Sequence, residues 1–243
     1  MTMFKKYRQN RIFEDLAAQI EAAIFDGRLR VGDKLPAQRD LVTMFQTSRA
    51  PLREALRVLE QKGLIDIKRG SRGGAVVKTP DTEPAVESLA LLIRHRKITL
   101  HELSEFREGV EGNVAALAAQ RASDADINKL KALLDKAGGL LKDGTAAWES
   151  FNRVDNAIHV AIARIAGNRV YEFVLRMVHD NILRYYEDHP LQDERFMQEN
   201  FQDLCDIVTA LGKKQGTVVR ALMQSHVRRF SRHMNEHTPE LGH

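Results

Sequence analysis

At 243 residues, with 43% hydrophobic and 29% charged side chains, the chain fits one or two globular domains and excludes a disordered or fibrous polymer. A lone cysteine, Cys205, excludes an internal disulfide, and no apolar run approaches the roughly 20 residues of a bilayer span; the opening MTMFKKYRQNRIF has no signal-peptide core either, so a cytoplasmic protein is expected. The net charge of +4 is uneven: residues 1–80 hold 16 Lys+Arg against 9 Asp+Glu and residues 81–243 hold 21 against 24, which turns only the first part toward a polyanion.

From Ile12 to Phe25 the apolar residues Ile12, Leu16, Ile20 and Ile24 recur every fourth position, the pattern of an amphipathic helix, and Gly27 ends it. Gly32 and Pro36 bracket a tight connection, after which Gln38 to Phe45 forms a second short helix with Leu41 and Phe45 inward. Ser48 is placed to cap a third helix, Pro51 falls in a first turn that tolerates its missing N–H, and Gly63 stops that helix. Leu52, Leu56 and Leu59 form its inward face, while Arg49, Arg53 and Arg57 form a separate stripe. Ile65, Ile67, Ala75 and Val77 then alternate along two short strands, joined by a Gly-rich basic tip that contains Arg69 and Arg72. This order reads as a winged helix-turn-helix. Three guanidinium groups one turn apart suit the phosphates and guanine edges of a DNA major groove. A solvated face would explain the stripe alone, but its place after a short turn and before a basic wing favours DNA.

The polar segment with Pro80 and Pro84 breaks both strand and helix patterns, which gives a DNA-binding domain over 1–79, a linker over 80–84 and a second domain over 85–243. Beyond it the periodicity predicts helices near 84–95, 99–121, 124–142, 146–165, 169–188, 195–213 and 216–236. Ser123 with Asp126 suggests a capping box, and Gly167-Asn168 a helix stop. The fold class is mainly α: a winged helix-turn-helix with a small β-hairpin, followed by an antiparallel helical bundle.

Two features of the helical part carry chemistry. Asp155 and His159 stand at i, i+4 on one helix face, a spacing that can share a divalent ion and that also serves a plain hydrogen bond. Arg107 lies on a mostly apolar helix with Leu103, Val110 and Val114, so it needs an anionic partner, which Glu111 or a ligand carboxylate would supply.

The first eighty residues resemble the GntR family of bacterial transcriptional regulators through Gly32-Asp33, Leu35-Pro36, Arg39-Asp40-Leu41, Ser48-Arg49, Arg53-Glu54-Ala55-Leu56, Gly63-Leu64 and the Gly-rich wing. The chain departs from that pattern at Ala37-Gln38, where the family often has Ser-Glu, and the lost capping pair weakens the second helix start by roughly 1 kcal/mol. The helical remainder is similar to the effector domain of the FadR subfamily through Phe106-Arg107 with Glu111, Asp155-x-x-x-His159, Gly167-Asn168 and His226. The resemblance implies that Arg39, Ser48, Arg49 and Arg53 contact DNA, with Arg69 reaching the minor groove; Arg39 could instead pair with Asp40 or Glu54. It further implies that Asp155, His159 and His226 hold a divalent metal, zinc above others, and that Arg107 grips the carboxylate of a small organic acid. Leu204 stands where a further histidine ligand is expected, with Asn200 or His179 as substitutes.

The expectation is therefore a homodimeric repressor of operator DNA, not an enzyme and not bound to a membrane. A metal-dependent hydrolase, a metal-free regulator of a larger acyl ligand and an architectural DNA-binding protein are the alternatives.

Overall fold

The computed structural model describes residues 12–68, 74–79, 83–95, 97–188 and 193–237, and its contacts divide into two units, Met1–Pro84 and Ala85–His243. Each unit has an apolar core drawn from its own residues alone.

In the first unit, α1 (Ile12–Phe25) buries Leu16, Ala17 and Ile20 and packs on α3, whereas Ile12 at its start stays 42% exposed. Helix α2 (Gln38–Met44) contributes Leu41, and α3 (Arg49–Gln61) contributes Leu52, Ala55, Leu56 and Leu59 at helical spacing. Strands β1 (Ile65–Lys68) and β2 (Gly74–Val77) pair antiparallel, with Ile65 opposite Val77 and Ile67 opposite Ala75. The chain from Gly32 to Leu35 closes the other edge of β2. Leu35 N–H donates to Ala75 O at 2.9 Å, Gly32 N–H to Val77 O at 2.8 Å, and Val77 N–H to Asp33 O at 2.9 Å. That segment, Gly-Asp-Lys-Leu before a proline, has turn composition and no alternation, so nothing local marks it as a strand partner.

Ser48 does hold the N-cap position of α3 with extended backbone, φ −97° and ψ 167°, but its hydroxyl accepts no capping hydrogen bond, contrary to the capping role expected of it. Ala37 at the start of α2 has no side chain that could cap. The linker also ends earlier than expected: α4 (Glu83–Arg94) already includes Pro84, in a first turn whose N–H groups have no helical partner. The wing tip, residues 69–73 with Arg69 and Arg72, and residues 80–82 of the expected linker lie outside the described residues.

The second unit continues with α5 (Leu100–Arg121), α6 (Asp124–Leu140), a 3-10 segment η1 (Leu141–Ala147), α7 (Trp148–Ile165), α8 (Arg169–Asp188), α9 (Glu194–Gly212) and α10 (Gly216–His237). Reciprocal capping boxes start α5, between Thr99 and Glu102, and α6, between Ser123 and Asp126. Helix α10 packs most extensively on α5. Their approach depends on Gly112, where a Cβ would lie 3.1 Å from the Arg220 carbonyl oxygen and 2.8 Å from Gln224 Cγ. Cys205 is half-buried, and burial raises its thiol pKa, as befits a packing residue.

Candidate functional site

The exposed face of the first unit is basic where α3 begins. Arg49 and Arg53 are both exposed, and no hydrogen bond or ion pair ties either to another described residue. Arg57, the third member of the stripe, is instead paired with Glu54 at 2.9 Å. Arg39 has an 87% exposed side chain whose guanidinium, among the described residues, pairs with Asp40 at 3.4 Å. An exposed pair of that length contributes little stability, so Arg39 remains available to an outside anion.

In the second unit five helices send polar side chains into the bundle. Asn152, Asp155 and His159 share one face of α7 by their i, i+3, i+7 spacing. Helix α10 supplies His226, α5 supplies Arg107 and Glu111, α8 supplies His179, and α9 supplies Asn200 and Asp203. Except for Asp155 and Asp203 these residues are all buried.

Glu111 is the anionic centre of this cluster. Arg107 Nε–H donates to its Oε1 at 2.5 Å, His179 Nε2 lies 3.0 Å from the same oxygen, and His159 Nδ1 lies 2.5 Å from Oε2. Burial alone would raise the Glu111 pKa, but Arg107, His159 and His179 together hold it well below the usual carboxylate range. Burial also pushes His179 down to about 4, so at neutral pH its ring is uncharged and its Nε2–H is the donor to Glu111.

The carboxylate of Glu111 fixes the tautomer of His159. With Nδ1 turned to Glu111, Nε2 is the ring nitrogen left for another partner. His226 Nδ1 faces Asp203 Oδ2 at 3.5 Å, and Asp203 is itself gripped by Arg229 at 2.9 and 3.2 Å. Burial would raise the Asp203 pKa, but His226 and Arg229 lower it overall. The two Nε2 atoms then meet at 3.0 Å, with Asp155 Oδ1 3.8 Å from each. Two buried imidazole nitrogens and a partly buried carboxylate oxygen converge here, with His159 hydrogen-bonded to Glu111 and His226 facing Asp203 at 3.5 Å, and form a donor set that fits a divalent ion. The sequence-predicted ligands Asp155, His159 and His226 are thus brought together. Glu111, His159 and His179 also converge, but three N–H donors already occupy that carboxylate, which makes the group a hydrogen-bonded hub.

Arg107 is 2% exposed, its Nε is committed to Glu111, and its guanidinium carbon lies 4.9 Å from the centre of the Phe230 ring. Leu204 is fully buried in the apolar core and offers no ligand. Among the described residues, several buried polar atoms around the cluster have no hydrogen-bond partner, among them Asn152 Nδ2, Asn200 Oδ1 and His226 Nδ1. Sequence reasoning missed Asp203 and the central place of Glu111, because these contacts join helices 48 or more residues apart or, for Asp203 and His226, lie on different helices with no shared periodicity.

Both units of the chain match known protein families. Residues 13–77 match the family model described as bacterial regulatory proteins, gntR family, and residues 102–229 match the FCD domain. The transcriptional regulator LutR of Bacillus subtilis is 27% identical over 84% of this chain and 92% of its own length. The Glc operon transcriptional activator of Escherichia coli is 32% identical over 72% of this chain and 68% of its own. Among solved structures, Streptococcus agalactiae GntR superposes with a TM-score of 0.69 at 20% identity, covering 90% of this chain and 99% of that one, a likeness of fold.

Proposed function

The chain belongs to the gntR family of bacterial regulatory proteins and carries an FCD domain, and from that premise we propose that a divalent ion and a small carboxylate bound in the helical unit set how tightly the winged helix holds operator DNA. As a member of that family it is a DNA-binding transcriptional regulator and not an enzyme, which sets aside the hydrolase reading. The observation that carries the proposal is the buried convergence of His159 Nε2, His226 Nε2 and Asp155 Oδ1. An ion held by these three residues would supply positive charge to a ligand carboxylate. Arg107, turned into the same cluster, would add hydrogen bonds from its Nη groups, and Asn152 Nδ2 would donate to a further polar group of the ligand.

On the DNA side, Arg49 and Arg53 reach base edges, while Arg39 and the amide region at Ser48 hold phosphates, with Arg69 on the wing. One recognition helix spans only a few base pairs, so the protein acts as a homodimer on a two-fold operator, as a repressor that ligand binding releases. A regulator of this family named an activator, that of the Glc operon, makes the sign of regulation part of the test.

The test uses the full-length protein. Metal analysis should find stoichiometric ion in the wild type and much less in His159→Ala. Operator affinity without ligand should be the same in both, because the substitution lies in the other unit, while release from DNA by added small carboxylates should fail in the variant. Wild-type protein without ion, or His159→Ala with a wild-type response, overturns the reading. Transcription that rises with operator occupancy would replace repression by activation.

A further inference from the structure

We propose that Gln46, in the turn between α2 and α3, donates its side-chain amide to a phosphate of bound DNA and so sets the angle at which α3 enters the groove. The inference rests on the reading that α3 is the helix that reads DNA, and adds a residue that reading does not require. Gln46 has φ 48°, in the left-handed region that favours glycine. The turn imposes that angle. Gln46 N–H donates to Thr43 O at 3.2 Å and Thr47 N–H to Val42 O at 3.1 Å, the paired bonds that close a helix through one left-handed residue. At the end of α3 the same pair of bonds falls on a glycine, Gly63, with φ 72°.

Among the described residues one other non-glycine has a positive φ: Lys214, at 58°, just past the end of α9. Its side chain has a use within the fold, since Nζ donates to the carbonyl of Ala122, the C-cap residue of α5. The Gln46 side chain has none. It is exposed, and no hydrogen bond ties it to another described residue. A side chain kept on strained backbone without a partner inside the fold points to a partner outside it. Its neighbours say which. The Ser48 hydroxyl makes no capping bond and Arg49 and Arg53 are unpaired among the described residues, whereas Arg57, further along α3, is held by Glu54. Uncommitted donors therefore gather in the turn and the first half of α3. When a helix-turn-helix docks, its second helix enters the major groove by its N-terminal residues while the first crosses the backbone, so the turn between them lies over the rim of the groove. The rim presents phosphate oxygens, for which an amide is a neutral donor. Such a contact positions α3 and leaves the choice of base to Arg49 and Arg53.

The test uses the full-length protein and a DNA duplex that the wild type selects from a randomised pool. It compares Gln46→Met, Gln46→Gly and Gln46→Lys, with Arg49→Ala and Arg53→Ala as controls for the reading helix, and thermal melts check that each is folded. Gln46→Met keeps the length of the side chain and removes its donors, so it should weaken binding by about fivefold to tenfold without changing the selected sequence. Gln46→Gly relieves the backbone, so it should melt at a higher temperature than the wild type and yet bind as weakly as Gln46→Met. Gln46→Lys returns a donor and adds a charge; it should restore affinity, with a plot of log affinity against log salt that is steeper by about one. A residue that merely closes the turn would not move that slope. If Gln46→Met and Gln46→Lys both keep the wild-type affinity and slope while the arginine variants bind weakly, the role of Gln46 is overturned and α3 stands as the reading helix. A selected sequence that changes in Gln46→Met overturns the phosphate assignment in favour of a base contact. Wild-type affinity in both arginine variants overturns α3 as the reading helix and this proposal with it.

Discussion

His159 faces two ways, and each of its nitrogens is spoken for by a different helix. Nδ1 belongs to Glu111 on α5, and Nε2 to the space shared with His226 and Asp155. In the sequence the i, i+4 pair of Asp155 and His159 is visible, and so is that of Arg107 and Glu111; what spacing cannot reveal is that the two pairs meet. His179 illustrates the limit. It stands 68 residues from Glu111, on a helix with no motif of its own, and only packing brings it to 3.0 Å. Its burial has a measurable result. Because the folded value, about 4, is below the ordinary 6.5, the unfolded chain binds the extra proton in that window. Stability is therefore full above pH 6.5 and falls as the pH drops toward 4, by up to about 3 kcal/mol at roughly 1.4 kcal/mol per unit. The depressed carboxyl of Glu111 adds its own loss only below its ordinary value of 4.5. Urea melts between pH 7 and pH 4.8 isolate the histidine contribution, and the slope should shrink in His179→Gln, which keeps a donor for Glu111. An unchanged slope would reassign the acid sensitivity.

The helices themselves were largely legible, since their ends carry local chemistry: the Ser123 and Asp126 box, the helix stop at Gly167 and Pro51 in the first turn of α3 are all short-range signals, whereas Pro84 reads as linker and lies inside α4. Elements without such signals were not. Segment η1 bends at Gly144, φ 57°, within what reads as the join of two helices, and the Gly32–Leu35 edge is specified by β2 rather than by its own residues. The start of α2 shows what a missing cap leaves undone. Asp40 already stands three residues after Ala37, the place that Asp126 holds relative to Ser123, so only the hydroxyl is absent. Ala37→Ser should complete the box and stabilise the first unit by about 1 kcal/mol, read as a higher midpoint of its thermal transition. On α3 the apolar and basic faces are cleanly separated, so the arginines can be changed without disturbing the core. Arg49→Ala or Arg53→Ala should each reduce specific operator affinity by roughly 1–3 kcal/mol while leaving the melt unchanged. Wild-type binding by both variants in an operator titration would exclude α3 as the reading helix.

Two separate cores mean that the protein has two stabilities. The smaller is built on α1 to α3 and the hairpin, the larger on α5 to α10 with part of α4. Calorimetry should resolve two transitions, and adding a divalent ion at about a hundred times its dissociation constant should raise only the one belonging to the helical unit, by about 2.7 kcal/mol in free energy. An ion that shifts both transitions equally would mean that the units melt as one. The packing of α5 on α10 extends this separation into the site. Gly112 is the neighbour of Glu111, and the bare backbone there lets α10, which carries His226, come close. On the proposed reading, the width of the bundle at that point therefore sets how His226 meets the ion. A single methyl group at 112 would press on the Arg220 carbonyl, which cannot rotate out of the way as a side chain can, and so prise the helix of His226 from the helix of Glu111, which holds His159. On the proposed reading, affinity for the ion can then drift through changes in core volume alone, with Asp155, His159, His226 and the arginines of α3 all unchanged.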